Sequence, residues 1–208
     1  FFLKNISSDS ILHFFGKLTP DHLPQRVRSF RKEYEHFLII NCSDESILDI
    51  HSLLESEKTI NNSFDYFISE GSESEDILRH RYVAGGAPSR CKMLNKDKTG
   101  AILAFDVALP RNYDLWNDVI DESIMEFMAQ GFKMGHFACM VFHWDFVLKK
   151  GANKEFVKDL ILKKFDSINA KYPAEHNVGH LYKADSCLSN HYKNLDPTNT
   201  LNPGIGKL

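Results

Sequence analysis

The chain has 208 residues, of which 43% are hydrophobic and 25% are charged, and its formal net charge is −3. This composition excludes a disordered or collagen-like chain and is typical of a globular protein with one or two domains. No run approaches 18 consecutive apolar residues, so the sequence predicts no membrane-spanning helix.

The cysteines and the first residues indicate what kind of chain this is. Cys42, Cys91, Cys139 and Cys187 lie about fifty residues apart, and no CxxC pair occurs. A disulfide framework or a zinc site of paired cysteines is therefore not expected. Because the chain starts with FFLK, without an initiator Met or a signal peptide, we expect it to be the middle of a longer protein.

The first half of the chain alternates helical and extended patterns. Apolar residues that recur every three or four positions predict helices, and short bounded apolar runs predict strands. The predicted elements are a helix capped by Ser8 or Asp9, a strand at 34–42, a helix capped by Ser43 or Asp44, a strand at 64–69 and a helix at 76–84.

The second half repeats this alternation and ends in a different pattern. The predicted elements are a strand at 100–109, a helix at 114–130, a strand at 136–148 and a helix capped by Asn153. Two β-α-β halves predict an α+β, ferredoxin-like antiparallel sheet with helices on one face. Residues 173–208 are turn-rich, and we expect them to belong to another domain.

Positive charge is concentrated in two blocks. Residues 1–33 contain six Lys/Arg against three Asp/Glu, and residues 79–98 contain six against one. Their net charges of +3 and +5 stand out on an acidic chain and predict an anionic surface as partner, although two solvated faces would explain them too. A nucleic-acid binder is disfavoured, because the chain is acidic overall and no strand has the aromatic pattern of an RNA-binding sheet.

The densest group of reactive residues lies at 174–180, in AEHNVGH. Adjacent Glu175 and His176 beside a glycine, outside regular structure, can place an imidazole and a carboxylate in one pocket. Such a histidine can accept the proton of a substrate hydroxyl group. The alternative is a turn whose polar side chains cap the neighbouring backbone.

His136 and His143 form a second pair, seven positions apart in an apolar run that is too β-like for a helix. In a regular strand an odd separation places two side chains on opposite faces. A common metal site would need a bend between them, and the intervening FACMVF offers no Gly or Pro. Either both belong to a site, or one is a buried, hydrogen-bonded histidine and the other lies on the surface.

Arg79 and Arg81 flank His80 in the segment that opens the second basic block. A guanidinium group binds a carboxylate through two parallel hydrogen bonds, so an arginine here is a candidate for a substrate carboxylate. The alternative is an ordinary surface charge.

Four motifs together resemble the FAD-linked D-2-hydroxy-acid dehydrogenases of the vanillyl-alcohol-oxidase type. AEHNVG is similar to their GEHG(I/V)G motif, DVALP to DVSLP, GHFACMVFH to a GH…H strand, and DPTNTLNPG to DPxxxLNPG. The motifs occur in the family's order and span essentially the whole chain. RKEYEH, YPAEHNVGHLYKA and LDPTNTLNPGIGK resemble those members that oxidise D-lactate and reduce a quinone.

The resemblance implies an organisation for the chain. Residues 34–172 would form a cap domain for the substrate, with an inserted basic segment at 70–98. Residues 1–33 and about 70–98 would form much of a basic region that associates with an anionic membrane surface, peripherally and on the cytoplasmic face of the inner membrane. Residues 173–208 would return to a flavin domain whose N-terminal part, absent from this chain, holds most of the FAD. The alternative is a membrane-binding module without catalysis of its own.

The resemblance also implies roles for individual residues. His176 matches the family's candidate base and would act with Glu175; Arg81, His136 and His143 would bind the substrate, and Asn202 the cofactor. Some relatives place a divalent metal on residues that match His136, His143 and Glu175. Their Gly-rich turn between the histidines is absent here, Asp145 replaces an Asn and Asn177 a Gly, so we assign no metal.

Overall fold

The computed structural model of the protein describes residues 8–19, 21–174 and 184–201. The chain divides into two compact units, Leu12–Gly85 and Phe1–Ile11 with Gly86–Leu208. The division at residue 86 falls inside the segment 70–98, which the sequence predicts to be a basic insertion. The assignment of functions to the predicted domains 1–33, 34–172 and 173–208 remains a prediction.

The first unit, called here the helical unit, contains most of α1 (Ser8–Leu18) and the whole of α2 (Gln25–Phe30), α3 (Ile47–Ile60) and α4 (Ser72–Gly85). The helices predicted after Ser8, after Ser43 and at 76–84 are thereby confirmed. The Arg26 side chain contacts the Glu73 carboxylate and donates to the Ile68 carbonyl at 3.0 Å. It also lies 4.5 Å from the centre of the Phe67 ring. These contacts join α2 to the start of α4 and to the segment before it.

The two strands predicted in the helical unit are wrong. Residues 34–42 and 64–69 have no strand assignment and pair with no other strand in the part of the chain that the structure describes. A strand is stabilised by a neighbour that accepts and donates its backbone hydrogen bonds, and an apolar run alone does not supply one. The run Phe37–Ile40 is instead exposed, with relative exposures of 47–67%.

The second unit, called here the sheet unit, carries α5 (Ala87–Leu94) and a three-stranded antiparallel sheet of β1 (Thr99–Ala108), β2 (Met128–His136) and β3 (Val141–Lys149). The strand order is β1-β3-β2. Three further helices follow the first strand in chain order: α6 (Glu122–Met125), α7 (Lys154–Ser167) and α8 (Ser186–Leu195). The predicted α+β class and antiparallel sheet are confirmed.

The connections within the sheet unit are those of a ferredoxin-like fold. The order is β1, α6, β2, β3, α7, and then Lys171 forms an antiparallel bridge with Ala108 at the free edge of β1. Both β-α-β halves therefore lie after residue 98, and the fourth strand is reduced to a single bridge. The prediction had the correct fold type but took residues 34–69 for the first half.

One face of the sheet packs against α7. Strand side chains alternate between faces, and every second residue of β1 and β3 enters the core. The Phe165 ring of α7 lies 5.5 Å from that of Phe105 and 5.8 Å from that of Trp144. The helix starts where Asn153 caps it, its Oδ1 accepting the Phe156 N–H at 3.1 Å, as the sequence predicts. This packed core fixes the backbone beneath the opposite face.

The helix predicted at 114–130 is also wrong. Residues 111–120 form turns, Asp121 caps the four-residue α6 by accepting the Ile124 N–H, and β2 starts at Met128. The apolar residues Val119, Ile120 and Ile124 are buried at helical spacing, which is why the pattern indicated a helix. A side chain of β2 anchors these turns to the sheet: Lys133 Nζ donates to the Asn117 carbonyl at 2.6 Å.

The predicted long strand at 136–148 is a hairpin. β2 ends at His136, a turn covers residues 137–140, and β3 begins at Val141. Met140 has a φ of +55°, the left-handed conformation that closes the turn without a glycine. The Leu109 N–H donates to the Met140 carbonyl at 2.9 Å, so the turn is joined to the end of β1.

In the part of the chain that the structure describes, no helix is both long enough and apolar enough to cross a membrane.

Candidate substrate site on the sheet face

The face of the sheet that points away from α7 carries a cluster of ionisable side chains. Because Phe142 and Trp144 face the core, His143 and Asp145 face the other way. The strand register arranges this face in three cross-strand rows, which are Ala108–Val141–His136, Asp106–His143–Met134 and Ala104–Asp145–Phe132. Two histidines and two carboxylates thus occupy three neighbouring rows.

Asp106 and His143 are directly opposite each other and form a hydrogen bond. The Asp106 Oδ1 lies 2.6 Å from the His143 Nδ1, and the two side chains are 17% and 27% exposed. An ionised carboxylate can only accept, so the proton on this bond is assigned to the Nδ1 nitrogen. In the neutral ring, Nε2 is then the nitrogen that accepts hydrogen bonds.

His136 lies beside His143 on the same face. Their ring centroids are 5.5 Å apart and the planes are nearly perpendicular, at 88°. The opposite faces expected for one regular strand do not occur, because the turn at 137–140 divides the run and pairs His136 with Val141, two residues before His143. Residues 137–140 contain no Gly or Pro from which the turn could be predicted. Met140 adopts the left-handed conformation that the turn requires.

Asp145 adds a second carboxylate one row along. It is partly buried, and burial is the main reason that its pKa is raised above the ordinary value for an aspartate. The negative charge of Asp106 raises the pKa further, while His143 opposes the shift. The fold therefore disfavours the ionised form of Asp145.

A cleft of about 490 Å³ lies beside the hairpin turn. It is lined by the end of β1 and by the turn itself: Leu109, Arg111, Asn112, Phe137, Ala138, Cys139 and Met140. Arg111 is exposed, and the sequence reasoning did not single it out. The signal was available, since Arg111 directly follows the DVALP motif and the turn directly follows His136.

The segment after α7 runs along the free edge of β1. Lys171 and Ala108 exchange two backbone hydrogen bonds of 2.8 Å, and the Ala174 N–H donates to the Asp106 carbonyl at 2.9 Å. Ala174 immediately precedes Glu175 and His176, which lie outside the described residues, as does Asn202. The roles that the sequence predicts for those three residues therefore remain predictions.

Arg81 lies on α4 in the helical unit, where it is exposed. The neighbouring His80 stacks on His22, with ring centroids 5.2 Å apart and 3.0 Å between His80 Nδ1 and His22 Nε2. Arg79 forms ion pairs within its own helix, with Glu75 and Asp76. Binding of a substrate carboxylate by Arg81 stays a prediction.

Cofactor and metal sites can be assessed only over the described ranges. Within them, no group of three or more His, Cys, Asp and Glu side chains has an arrangement that could hold a metal ion. A dinucleotide would need a loop of convergent backbone N–H groups. The GGAP stretch does not form one, because Gly85 ends α4 and Gly86 has helical angles before α5. The GGAP stretch, residues 85–88, therefore does not fit a flavin dinucleotide cradle.

The helical unit exposes apolar and basic side chains together. On α1, Leu12, Phe14, Phe15 and Leu18 are each between 57% and 69% exposed. Such a group of exposed apolar side chains is unusual on a soluble protein and marks an interaction surface. Arg28 and Lys32 are exposed at the end of α2, whereas Arg26 pairs with Glu73.

The two basic blocks differ once their acidic neighbours are included. Residues 70–98 contain five Asp/Glu against six Lys/Arg, a net charge of +1, because four of these acids precede Arg79. Two of them bind Arg79 itself. The excess of positive charge predicted for the inserted segment is therefore small, and residues 1–33 keep the larger net charge of +3.

Comparison with known proteins places these features in a family. The family described as "D-lactate dehydrogenase, membrane binding" matches residues 1–208. The chain is 40% identical over 207 residues to the quinone-dependent D-lactate dehydrogenase of Haemophilus influenzae, covering 100% of this chain and 37% of that protein. It is 37% identical over 207 residues to the same-named enzyme of Escherichia coli, covering 99% and 36%.

A third relative, the quinone-dependent D-lactate dehydrogenase of Corynebacterium glutamicum, is 32% identical over 206 residues, covering 96% of this chain and 35% of that protein. The chain thus spans little more than a third of the length of these relatives. Since the family's match extends over every residue, the chain belongs to the membrane-binding family of D-lactate dehydrogenases.

Proposed function

We propose that this chain is the C-terminal, membrane-binding portion of an FAD-dependent enzyme that oxidises D-lactate to pyruvate and passes the electrons to a quinone. The observation that carries the proposal is the match over residues 1–208, together with identities of 40% and 37% to two quinone-dependent D-lactate dehydrogenases. The cluster of His136, His143 and Asp106 on one sheet face supports it, since it offers imidazoles to a small hydroxy acid.

The reaction removes two hydrogens from D-lactate. The hydroxyl proton leaves to a base, the hydrogen on the α-carbon leaves with its electron pair, and the quinone finally gains two electrons and two protons. Bound FAD supplies the acceptor for that electron pair. We assign FAD mainly to an N-terminal domain beyond this chain, with Asn202 contributing from the tail.

Residues of this chain would bind and deprotonate the substrate. His176, with Glu175 beside it, is the proposed base for the hydroxyl proton. His136 and His143 would bind the substrate on the sheet face. The backbone bond from Ala174 to Asp106 supports this arrangement, because Ala174 is the residue that precedes Glu175 in the sequence.

The base assignment is tested by His176→Ala in the full-length enzyme. Loss of a general base costs about 10² to 10⁴ in rate, so turnover of D-lactate should fall by that factor with flavin content unchanged. His191→Ala is the matched control, since His191 is exposed on α8 and has no proposed role. A His176 variant within a few-fold of wild type would remove this residue from the mechanism.

Two arginines compete for the substrate carboxylate, and their alanine variants separate them. Loss of a ground-state contact raises KM with little change in kcat. Arg81→Ala should raise KM for D-lactate if the resemblance assigns the role correctly. Arg111→Ala should do so instead if the cleft beside the hairpin turn holds the carboxylate. An unchanged KM in the Arg81 variant would leave that residue as a surface charge.

The membrane partner is proposed to be the anionic cytoplasmic face of the inner membrane, bound peripherally. The family description supports membrane binding, and the exposed apolar residues of α1 with the basic block 1–33 support an interfacial mode. The alternative function is a membrane-surface module without catalysis of its own.

Flavin absorbance separates the enzyme from the module. Residues 1–208 alone should bind little or no FAD, while the full-length protein should be yellow and reduce a quinone analogue with D-lactate. A full-length protein that binds vesicles but neither holds flavin nor oxidises D-lactate would favour the module. A stoichiometrically yellow preparation of residues 1–208 would contradict the assignment of FAD to a separate domain.

A further inference from the structure

We infer that the cleft beside the hairpin turn, which Arg111 and Phe137 line, binds the ring of the quinone that accepts the electrons. The inference rests on the proposed function and deepens it. The reaction needs an electron acceptor, and neither the sequence motifs nor the family description says where on the chain that acceptor binds. The occupant is an uncharged, planar ring with two carbonyl oxygens and an apolar tail.

The size of the cleft fits a quinone better than it fits D-lactate. Its volume is about 490 Å³, within the range of about 300–1,000 Å³ that is usual for sites of small molecules. One water takes about 30 Å³ of the liquid, so a hydroxy acid with about six non-hydrogen atoms needs at most roughly 180 Å³. A quinone ring with its substituents and one isoprenoid unit has about three times as many atoms, and so belongs to the class of ligand that such a cleft holds.

Phe137 gives the cleft an aromatic wall that the core supports. The Phe137 side chain is 41% exposed and lines the cleft. Its ring meets Trp116 edge to face at a centroid distance of 5.1 Å and Phe142 at 5.4 Å, and Phe142 is almost fully buried. These two contacts hold the Phe137 ring in one orientation. The ring thereby offers a planar partner on which a flat quinone ring can form an offset stack.

Arg111 gives the cleft a polar end. Its side chain is exposed, and none of the ion pairs between described residues includes it. The Tyr113 N–H donates to the Pro110 carbonyl at 3.1 Å, so Arg111 and Asn112 occupy the middle of a closed turn. A guanidinium group has only donors, and a carbonyl oxygen only accepts. The donors of Arg111 therefore match a quinone carbonyl.

The charges that line the cleft favour reduction of its occupant. In the proposed reaction the quinone gains two electrons and two protons from the reduced flavin, which is thereby reoxidised, and both carbonyl oxygens become hydroxyl groups. Negative charge develops on these oxygens as the electrons arrive, and a fixed cation beside them stabilises it. Arg111 is such a cation, and the described residues that line the cleft include no Asp or Glu that would oppose it.

Both walls of the cleft belong to the sheet unit, so the fold sets its shape before a ligand binds. Leu109, which follows β1, is 5% exposed, and its N–H donates to the Met140 carbonyl in the hairpin turn at 2.9 Å. This bond holds the end of the strand and the turn together. Phe137 directly follows His136, so the cleft begins next to the sheet face that is proposed to bind D-lactate. The donor and the acceptor of the electrons would then bind at neighbouring places on one unit.

Kinetics of the full-length enzyme separate a quinone in this cleft from the carboxylate of D-lactate. Phe137→Leu keeps the apolar bulk but removes the ring, and Arg111→Gln removes the charge. Each should lower kcat/KM for a ubiquinone with one isoprenoid unit by roughly 3- to 10-fold. The kcat/KM for D-lactate, measured with saturating ferricyanide as an acceptor that has no aromatic ring, should stay within about twofold of wild type.

Phe156→Leu is the matched control. Phe156 is also exposed, at 51%, and also meets a neighbouring ring edge to face, but it lies on α7. Its variant should change neither value. A Phe137→Leu enzyme with an unchanged kcat/KM for the ubiquinone would overturn the inference. A loss confined to kcat/KM for D-lactate in Arg111→Gln would overturn it too, and would assign the cleft to the substrate carboxylate.

Protection of Cys139 is a readout that does not depend on activity. Its thiol is exposed and lines the cleft. The same ubiquinone has a fully substituted ring, to which a thiol cannot add. At saturation it should slow alkylation of Cys139 by N-ethylmaleimide several-fold in the full-length protein, while Cys187, exposed on α8, reacts at an unchanged rate. Equal rates at Cys139 with and without the ubiquinone would overturn the inference.

Failure of the proposed function has a different signature. A wild-type full-length protein that oxidises no D-lactate with either acceptor would contradict the proposed reaction, while the alkylation rates would still report on the cleft. Protection of Cys139 together with a lowered kcat/KM for the ubiquinone in Phe137→Leu, beside normal values for Phe156→Leu, supports both.

Discussion

The rings of His136 and His143 meet edge to face with centroids 5.5 Å apart, although the residues are seven positions apart in the chain. The hairpin turn at 137–140 creates this pair, and a glycine beneath it permits the close packing. At Gly135 an added Cβ would lie 2.5 Å from the Phe142 ring, which is itself almost fully buried. Backbone and ring are thus in direct contact one residue before His136.

Gly135→Ala should therefore destabilise the protein. The Phe142 ring cannot move away without disturbing the core, and overpacking of this kind costs about 1–3 kcal/mol. Denaturant unfolding of wild type and variant measures the difference. In the full-length enzyme, the proposed D-lactate oxidation should also fall if His136 is displaced.

The matched control is Gly131→Ala in the same strand. There the added Cβ would lie 3.4 Å from the Phe146 ring, an ordinary contact. Its free energy of unfolding should stay within about 1 kcal/mol of wild type. Equal stabilities for the two variants would show that the sheet accommodates a side chain at Gly135.

Asp145→Asn should stabilise the protein at neutral pH. Burial raises the pKa of this carboxyl in the folded state, so its ionised form costs folding free energy once the pH rises above the ordinary pKa of an unfolded aspartate. An amide carries no charge and avoids that cost. Thermal melts should give the variant a higher Tm at pH 7.

The stability gain of Asp145→Asn should depend on pH, because it arises from the charge of the wild-type carboxylate. Below the ordinary aspartate pKa of 3.8 the carboxyl is neutral in both the folded and the unfolded state, so the difference between variant and wild type should vanish there. A difference that is the same at about pH 3 and pH 7 would mean that packing, not charge, separates the two proteins.

The elements predicted correctly from sequence are those with strong local signals. The helix after Asn153 has a cap and a clear apolar stripe, and the strand at 100–109 ends at a proline. The ferredoxin-like type followed from the alternation of elements. The position of this fold along the chain could not be predicted in the same way. The run Phe37–Ile40 has the pattern of a buried strand, but a strand forms only where tertiary structure supplies a pairing partner.

The candidate site was predictable in its residues but not in its geometry. The spacing of His136 and His143 singled them out, yet their proximity depends on a turn closed by Met140, a residue that is rarely left-handed. Asp106 appeared only as part of a motif, since its contact with His143 depends on the β1–β3 register. Pairing between strand residues 37 positions apart leaves no local trace in a sequence.

Lowering the pH should reduce the stability of the sheet unit, because Asp121 becomes protonated. This carboxylate contacts Lys164 of α7 at 2.5 Å and the Ser123 hydroxyl at 2.6 Å, and these bonds lower its pKa to about 2 from 3.8. A lowered pKa stabilises the fold above the unfolded value and loses that contribution as pH falls through the folded one. Part of the stability should therefore disappear between about pH 4 and pH 2.

Lys164→Met tests this assignment, because the lysine is the main cause of the shift. The variant should be less stable than wild type at about pH 6, and the gap should narrow as the pH falls from about 4 to 2. Lys163→Met, on the same helix and not the lysine that contacts Asp121, is the control. A gap that persists at the acid end of this range would assign the effect to lost packing of the lysine stem.

The basic residues in and just after α2 should divide into structural and membrane-binding ones. Arg28 and Lys32 are exposed, and polybasic segments gain about 1 kcal/mol per cation near an anionic leaflet. Arg28→Ser with Lys32→Ser should lower binding to anionic vesicles by roughly tenfold or more at low salt, with an unchanged Tm. Co-sedimentation at rising salt measures this, since screening weakens the attraction.

Arg26→Ser is the informative comparison. Arg26 contacts Glu73 and the Phe67 ring, so its loss should lower the Tm of the helical unit. At a temperature where the unit is still folded, vesicle binding should fall less than it does in the Arg28/Lys32 variant. Equal vesicle binding by wild type and the Arg28/Lys32 variant would show that these basic residues are solvent-exposed charges without a role in membrane binding.

The apolar residues of α1 should contribute a part of membrane binding that salt does not remove. Leu12 and Phe15 are 62% and 57% exposed, and interfacial helices bury such side chains among the lipid head groups. Leu12→Ser with Phe15→Ser should leave binding to anionic vesicles at low salt nearly unchanged but lower the fraction that stays bound at about 0.5 M salt, where charge attraction is screened within about 4 Å. Leu195→Ser is the matched control, because Leu195 is equally exposed, at 66%, but lies on α8 in the other unit. If both variants release from vesicles at the same salt concentration as wild type, α1 does not insert and the membrane contact is electrostatic alone.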